Sequence, residues 1–396
     1  MSYETPHFII KKNLQKSQTT GRYFSDVTTD EILEDVCYRI TGKRKYTCTF
    51  VDNDYSDEFL EPTYNKGRMA LMHYNDYVFY ISFSEKEIAG RNSGVQSVPT
   101  AYNLFYSNPY PKKRLCYYFL KDIVGNPETD YYMNMYRLME TIGFEFLNPE
   151  VISMKIKGFN TVQDVANSRK ETSERNSSNN STYITTSGDL IEIYGKTYGA
   201  NKYATSMITY AIGLLAASTQ KIKLYEIIEQ DLKELPKSSL DVIMKMGNID
   251  VIKTDIQLEK KAFEEGDSLR SPRYIFNLLN KMGGRKKCAF CDCEIPEIIQ
   301  GAHVWPVADI KKQPFTYEKK LSYATDGDNG LWLCENHHKL FDRNIIRISN
   351  SGYIQYMTSE SKHITFMKKI TEVDRVPDEY MNDTFLEYLE RRNIAI

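Results

Sequence analysis

Apolar positions in the first 150 residues fall in dense, aromatic-rich runs separated by polar stretches. Residues 68–84, RMALMHYNDYVFYISFS, are dominated by aromatic and β-branched side chains and predict a strand, or a hairpin turning at Asn75-Asp76. Residues 30–42, DEILEDVCYRITG, carry helical spacing and end on a glycine. Residues 129–147 predict a second helix that stops near Gly143. The pattern breaks at 167–182, NSRKETSERNSSNNST, which is almost wholly polar and is expected to be a surface loop or linker. Beyond it the pattern predicts a strand at 189–194, a helix from about Asn201, and a strand and helix at 221–236 closed by Pro236. Composition changes again at Gly283-Gly284, and no repeat of fixed period is present. The expected class is α+β. Three domains are expected: a mixed α/β region over 1–160, a second α/β region over 161–280, and a small metal-stabilised region with an extension over 281–396.

Length and composition keep this picture within an ordinary globular chain. The chain has 396 residues, 41% hydrophobic and 26% charged. No apolar run approaches the roughly 20 residues a membrane helix requires, and the stretch at 207–218 is better explained as a buried helix. The first residues lack the basic-then-apolar layout of a signal peptide, so a cytoplasmic location without membrane attachment is expected. Seven cysteines, an odd number, in a reducing compartment argue against disulfides.

Net charge is −2, from 51 Lys+Arg against 53 Asp+Glu, which by itself does not indicate a nucleic-acid binder. The charge is nevertheless uneven. Residues 269–287 hold Arg270, Arg273, Lys281, Arg285, Lys286 and Lys287 and no acid, and PKKR at 111–114 is a second basic cluster. Such stripes suit phosphate contacts, and a solvated charged face accounts for either one equally well.

Chemistry concentrates between Cys288 and His338, where four of the seven cysteines and three of the six histidines lie. Cys288-x-x-Cys291 and Cys334-x-x-His337 are two pairs of the spacing that closes a tetrahedral Zn²⁺ site with no open position. Cys293 is a rival ligand, and burial without metal is the other account of these cysteines. His338 and Asp342 are four apart. On a helix opening over 336–347 they share a face and can chelate one divalent ion of the Mg²⁺ or Mn²⁺ kind, while an Asp342–Arg343 pair is the competing explanation.

These residues carry a family resemblance. GAHVWPVADI…DGDNGLWLCENHHKLFD resembles the HNH endonucleases, of ββα-metal fold, over about 285–350. The resemblance implies that His303, on the first strand of a hairpin, is the general base, and that Asn329 holds its ring by a hydrogen bond. It implies that His338, nine residues after Asn329, binds the catalytic metal, with Asp342 as a further ligand. Many members carry Asp or His immediately before the base, as another ligand; this chain has Ala302.

A cutting unit of about 65 residues leaves some 280 for choosing the target. The expectation is a type II restriction endonuclease on double-stranded DNA, leaving 5′-phosphate and 3′-hydroxyl ends. A C₂ homodimer would cut both strands of a symmetric site. Candidate DNA contacts are Arg270, Arg273, Arg285, Lys286, Lys287, Lys196 and Lys202. Two alternatives stay open. One is a nuclease that requires a methylated base, for which the tyrosine-rich first half suits an aromatic cage. The other is a zinc-containing DNA-binding protein without catalysis.

Overall fold

Thr29 and Gly42 bracket the first helix through backbone chemistry. The Thr29 hydroxyl accepts from the Ile32 N–H at 3.5 Å, and Gly42, at φ 73°, donates its N–H to the Tyr38 carbonyl at 2.8 Å. The computed structural model describes the chain except residues 1–2, 12–28, 52–68, 85–92, 109, 121–130, 153–154, 176–181, 197–200, 229–234, 236, 255, 267–268 and 396. It divides into two compact units built from interleaved segments. One comprises 1–175, 197–218 and 232–250, and the other 176–196, 219–231 and 251–396.

In the first unit, β1 (Tyr3–Lys11), α1 (Asp30–Thr41) and β2 (Thr47–Val51) are followed by the hairpin β3 (Met69–Asn75) and β4 (Tyr77–Ser84). The hairpin expected from the aromatic run forms, and it turns on Asn75 at φ 52°. With β5 (Lys113–Phe119) and β6 (Glu145–Phe146) these strands make a 6-stranded mixed sheet of order β2-β1-β3-β4-β5-β6. Phe8, Ile10, Val36, Met72, Ile81 and Phe83 are among its core residues. Among the described residues the unit also holds the α-helices α2 (Ser93–Ser107), α3 (Tyr131–Thr141), α4 (Val162–Arg175), α5 (Asn201–Leu215) and α6 (Lys237–Lys245). Gly143, at φ 95°, follows α3 as expected. Met207, Ile208, Ala211 and Ile212 of α5 are fully buried, so the first half of the apolar stretch at 207–218 is core, whereas Leu214 is exposed.

The polar stretch at 167–182 departs from expectation. Its first nine residues continue α4, and 176–181 lie outside the described residues. The helix begins with a reciprocal cap in which Thr161 and Asp164 each accept from the other's N–H at 3.1 Å. Val162, Val165 and Ala166 bury one face, which polar composition alone did not reveal. The helix expected before Pro236 falls largely outside the described residues.

The second unit opens with β7 (Thr182–Ser187), β8 (Leu190–Lys196), β9 (Lys221–Ile227) and β10 (Ile249–Thr254), a sheet of order β10-β9-β8-β7. Then come α7 (Ile256–Glu265) and α8 (Pro272–Lys281). The start of α8 is set by Ser271, whose hydroxyl accepts from the Tyr274 N–H at 3.2 Å, with proline at the first helical position. One face of α8 packs on the sheet: the Phe276 ring meets Tyr183 edge-on at 5.2 Å, and the Tyr183 hydroxyl donates to Asn280 at 2.8 Å.

Its other face carries a hairpin. The remaining elements are β11 (Ile299–His303), α9 (Val307–Lys312), α10 (Tyr317–Thr325), β12 (Gly330–Cys334), α11 (Glu335–Asp342), β13 (Ile346–Ile348), β14 (Ile354–Tyr356), α12 (Ser361–Ile370) and α13 (Asp383–Ala395). β11 and β12 pair antiparallel, Ile299 opposite Cys334 at one end and His303 opposite Gly330 at the other, and α11 follows directly. This is the ββα arrangement. α11 ends at Asp342, several residues short of the expected 347, because β13 begins at Ile346.

Candidate active site and metal centre

The hairpin presents its two ends to different chemistry. At the Cys334 end, Cys288, Cys291, Cys334 and His337 converge, with their donor atoms within 4.8 Å of one another. His337 Nδ1 lies 3.4 Å from the Cys288 sulfur and 3.2 Å from the Cys334 sulfur, and the Cys291 and Cys334 sulfurs are 3.9 Å apart. A tetrahedral Zn²⁺ with ordinary bond lengths separates sulfurs by about 3.8 Å and sulfur from nitrogen by about 3.5 Å. The donor set and its spacing therefore fit zinc. The other face of the His337 ring system is also engaged: Nε2 lies 3.1 Å from the Thr371 hydroxyl, an outer contact of the kind that fixes a ligand ring. Cys293 keeps its thiol out of the cluster and instead accepts from the Cys288 N–H through its carbonyl, at 2.9 Å, closing the knuckle.

At the opposite end, His303, His338 and Asp342 line one cleft of about 200 Å³, together with Arg270, Gly301, Pro306, Val307 and Arg392. His338 Nε2 and Asp342 Oδ2 are 3.5 Å apart, one turn along α11, so the face-sharing expected from their spacing is present. Neighbouring helix positions differ by about 100°. That rotation turns His337 toward the cysteines and His338 toward the cleft. Burial lowers the His338 pKa and Asp342 opposes the shift.

The His303 ring is clamped. It stacks on the fully buried Tyr274 of α8, with centroids 4.1 Å apart and planes 14° from parallel. Its Nε2 donates to the Ala324 carbonyl at 2.9 Å, so Nδ1 is the bare nitrogen. Burial depresses its pKa to about 4, with the Arg270 and His338 charges acting in the same direction and the Ala324 bond against it. The imidazole is therefore neutral at pH 7.

Asn329 differs from the expectation that it bonds this ring. It is fully buried, accepts from the Trp305 N–H at 2.7 Å, and donates to the carbonyls of Trp305 and Tyr323 at 3.1 Å each. It ties the loop after β11 to the end of α10. Ala324, the acceptor for His303, is the next residue on that helix. Ala302 is wholly buried in the apolar core opposite Leu331, where a charged ligand would have no water and no partner.

The basic stripe is unevenly placed. Arg270 is exposed, lines the cleft and has no partner among the described residues. Arg273 is engaged with Glu259 at 2.9 Å and the Ile228 carbonyl at 3.1 Å. Lys286 donates to the Pro296 carbonyl at 3.0 Å and lies over the Trp332 ring. Lys287 sits 3.5 Å from Glu294, and Arg285 is exposed. Lys196 lies 4.9 Å from the Phe276 ring centroid. Lys202 is in α5, and its side chain lies outside the described residues.

Tyr274, Thr371 and Arg392 were not anticipated from sequence. Tyr274 left a signal: Gly301 and Gly330 lie inside the hairpin strands, where glycine marks close approach, and a Cβ at either would press on Tyr274 and Leu278. Thr371 and Arg392 left none.

Residues 288–349 match the family model of the HNH endonucleases, so the second unit contains an HNH nuclease domain. The match encloses the metal cluster, His303, Asn329, His338 and Asp342, and leaves out Arg270, Tyr274, Thr371 and Arg392. No curated protein matches the chain. Among the described residues no helix is long and apolar enough to cross a membrane.

Proposed function

We propose that this protein is a site-specific endonuclease of double-stranded DNA, of the type II restriction class, working in a reducing cytoplasm. The observation that carries the reading is the convergence of His303, His338 and Asp342 on a single cleft that Arg270 also lines.

His303 acts as general base. With Nε2–H held by Ala324, its Nδ1 takes a proton from a water molecule. The water oxygen bonds to phosphorus and the bond to the 3′ oxygen breaks. The products carry a 5′-phosphate and a 3′-hydroxyl, whose proton comes from solvent. Tyr274 keeps the imidazole in one orientation by stacking, and Asn329 acts at one remove by fixing the end of α10. Arg270 contacts a DNA phosphate. His338 and Asp342 would hold a Mg²⁺ or Mn²⁺ ion, whose chemistry is to offset negative charge at the phosphate. Zn²⁺ at Cys288, Cys291, Cys334 and His337 is structural, since that site has no open position.

Recognition is assigned to residues 1–280, and the protein works as a C₂ homodimer that brings one HNH unit to each strand. The experiment is digestion of mixed-sequence DNA with Mg²⁺, on methylated and unmethylated substrate, followed by sequencing of fragment ends. A single recurrent symmetric site on unmethylated DNA is expected. Cutting confined to methylated DNA would replace this reading with modification dependence, and no cutting of either would leave a DNA-binding protein.

A further inference from the structure

Arg392 lies on α13, far along the chain from the matched segment, and is 2% exposed. Its guanidinium spans two elements of the cleft. Nη1 donates to the Val304 carbonyl at 3.0 Å, one residue beyond His303. Nη2 donates to the Phe341 carbonyl at 2.6 Å and to Asn344 Oδ1 at 2.8 Å, at the end of the helix that carries His338 and Asp342. The group also lies 3.8 Å from the centroid of the Phe341 ring. Nε has no partner among the described residues, and the side chain lines the same cleft as His303 and Asp342.

A buried guanidinium is costly to desolvate, and burial draws its pKa down to about 10 against the opposing charges of Asp342 and Asp309. Packing alone would be served by an apolar side chain of similar volume. What a guanidinium adds is a planar fork of fixed geometry, able to hold two carbonyls at a set separation. The Phe341 carbonyl also belongs to the negative end of α11, where a cation is favoured.

We propose that Arg392 is a positioning residue for phosphodiester hydrolysis, whose fork sets the distance between the general-base loop and the ion-binding end of α11. This rests on the nuclease reading above. Neither Val304 nor Phe341 touches substrate in that reading, so Arg392 acts through His303 on one side and through His338 and Asp342 on the other. Lysine, with a single ammonium on a flexible stem, cannot hold the same span.

The test compares the full-length zinc-loaded protein with Arg392→Lys and Arg392→Ala, and with His303→Ala as a control. Supercoiled plasmid cleavage with Mg²⁺ gives kcat and KM, zinc content reports the scaffold, and histidine-selective NMR without Mg²⁺ reports the ring environments. For Arg392→Lys, kcat is expected to fall about a hundredfold, the scale of a misplacement of roughly 1 Å. KM and zinc content should hold, the His303 resonance should shift, and His337 should not. Added guanidinium ion should restore part of the Arg392→Ala loss. Wild-type kcat with an unshifted His303 resonance in Arg392→Lys overturns the proposal, and so does joint loss of zinc and fold in both variants. If the wild-type protein cuts no DNA, the nuclease reading fails separately. The His303 resonance then decides whether Arg392 positions the loop.

Discussion

His303 and Asn329 sit close together and hold different things. Among the described residues His303 makes one hydrogen bond, through Nε2, and lines the cleft, whereas Asn329 spends three hydrogen bonds on backbone groups. Their substitutions should therefore separate. His303→Ala is expected to abolish plasmid cleavage while zinc content stays near wild type, and retained cleavage would remove His303 as the base. Asn329→Ala is expected to destabilise the protein by about 2–3 kcal/mol, because buried partners on Trp305 and Tyr323 lose their mates. Thermal unfolding with zinc present checks this, and a variant as stable as wild type would contradict the bonding described. The placement of single residues was legible in sequence where spacing dictates direction. Cys288, Cys291, Cys334 and His337 are the plainest case, and the His338–Asp342 pair follows from one helical turn. What spacing could not show was which group holds the His303 ring, because Ala324 contributes only a carbonyl, and every residue has one.

Among the elements, α8 changes most between sequence and structure. The basic stripe 269–287 suggested a strip laid along DNA, yet its helix has Tyr274, Phe276, Leu278 and Leu279 buried and wedges beneath the hairpin. Charge was the conspicuous feature of that sequence, and the amphipathic spacing underneath it decided the packing. The contact is close enough to require glycine: a Cβ at Gly327 would stand 2.4 Å from the Asn277 carbonyl oxygen, which is backbone and cannot swing away. Gly327→Ala should therefore cost at least about 1–3 kcal/mol through overpacking. It should also lower cleavage by shifting Asn329 two residues on. A melting temperature equal to wild type would show that α8 yields more easily than its backbone contact implies. The hairpin at 69–84 and the helix ending at Gly42 were legible for the opposite reason, since local turn and cap chemistry sufficed there.

For the whole molecule, the cluster of three cysteines and one histidine ties the hairpin to segments on either side of it. Its cysteines come from the knuckle and the end of β12, and Thr371 beyond the matched domain contacts its histidine. Metal binding of this kind is coupled to folding. A strong chelator is expected to lower the melting temperature, open Cys288, Cys291 and Cys334 to alkylation, and stop cleavage even with excess Mg²⁺. Returning Zn²⁺ should restore all three. Cysteines that stay protected under chelation would assign that end of the hairpin to apolar burial alone. The overall class was legible because the α and β patterns alternate throughout. The two compact units are each assembled from segments that interleave along the chain. The continuous segment 251–396, longer than the matched domain, bears on how a nuclease domain of this kind can be moved between proteins. A fragment beginning at Cys288 and ending at residue 349 spans the whole matched domain, but it lacks the Tyr274 stacking partner, the Thr371 contact and the Arg392 fork. Grafted onto another protein, that cassette would carry His303, His338, Asp342 and the cysteine cluster without these contacts, and on the proposed reading a transplant that cuts must bring α8 and the C-terminal helix with it.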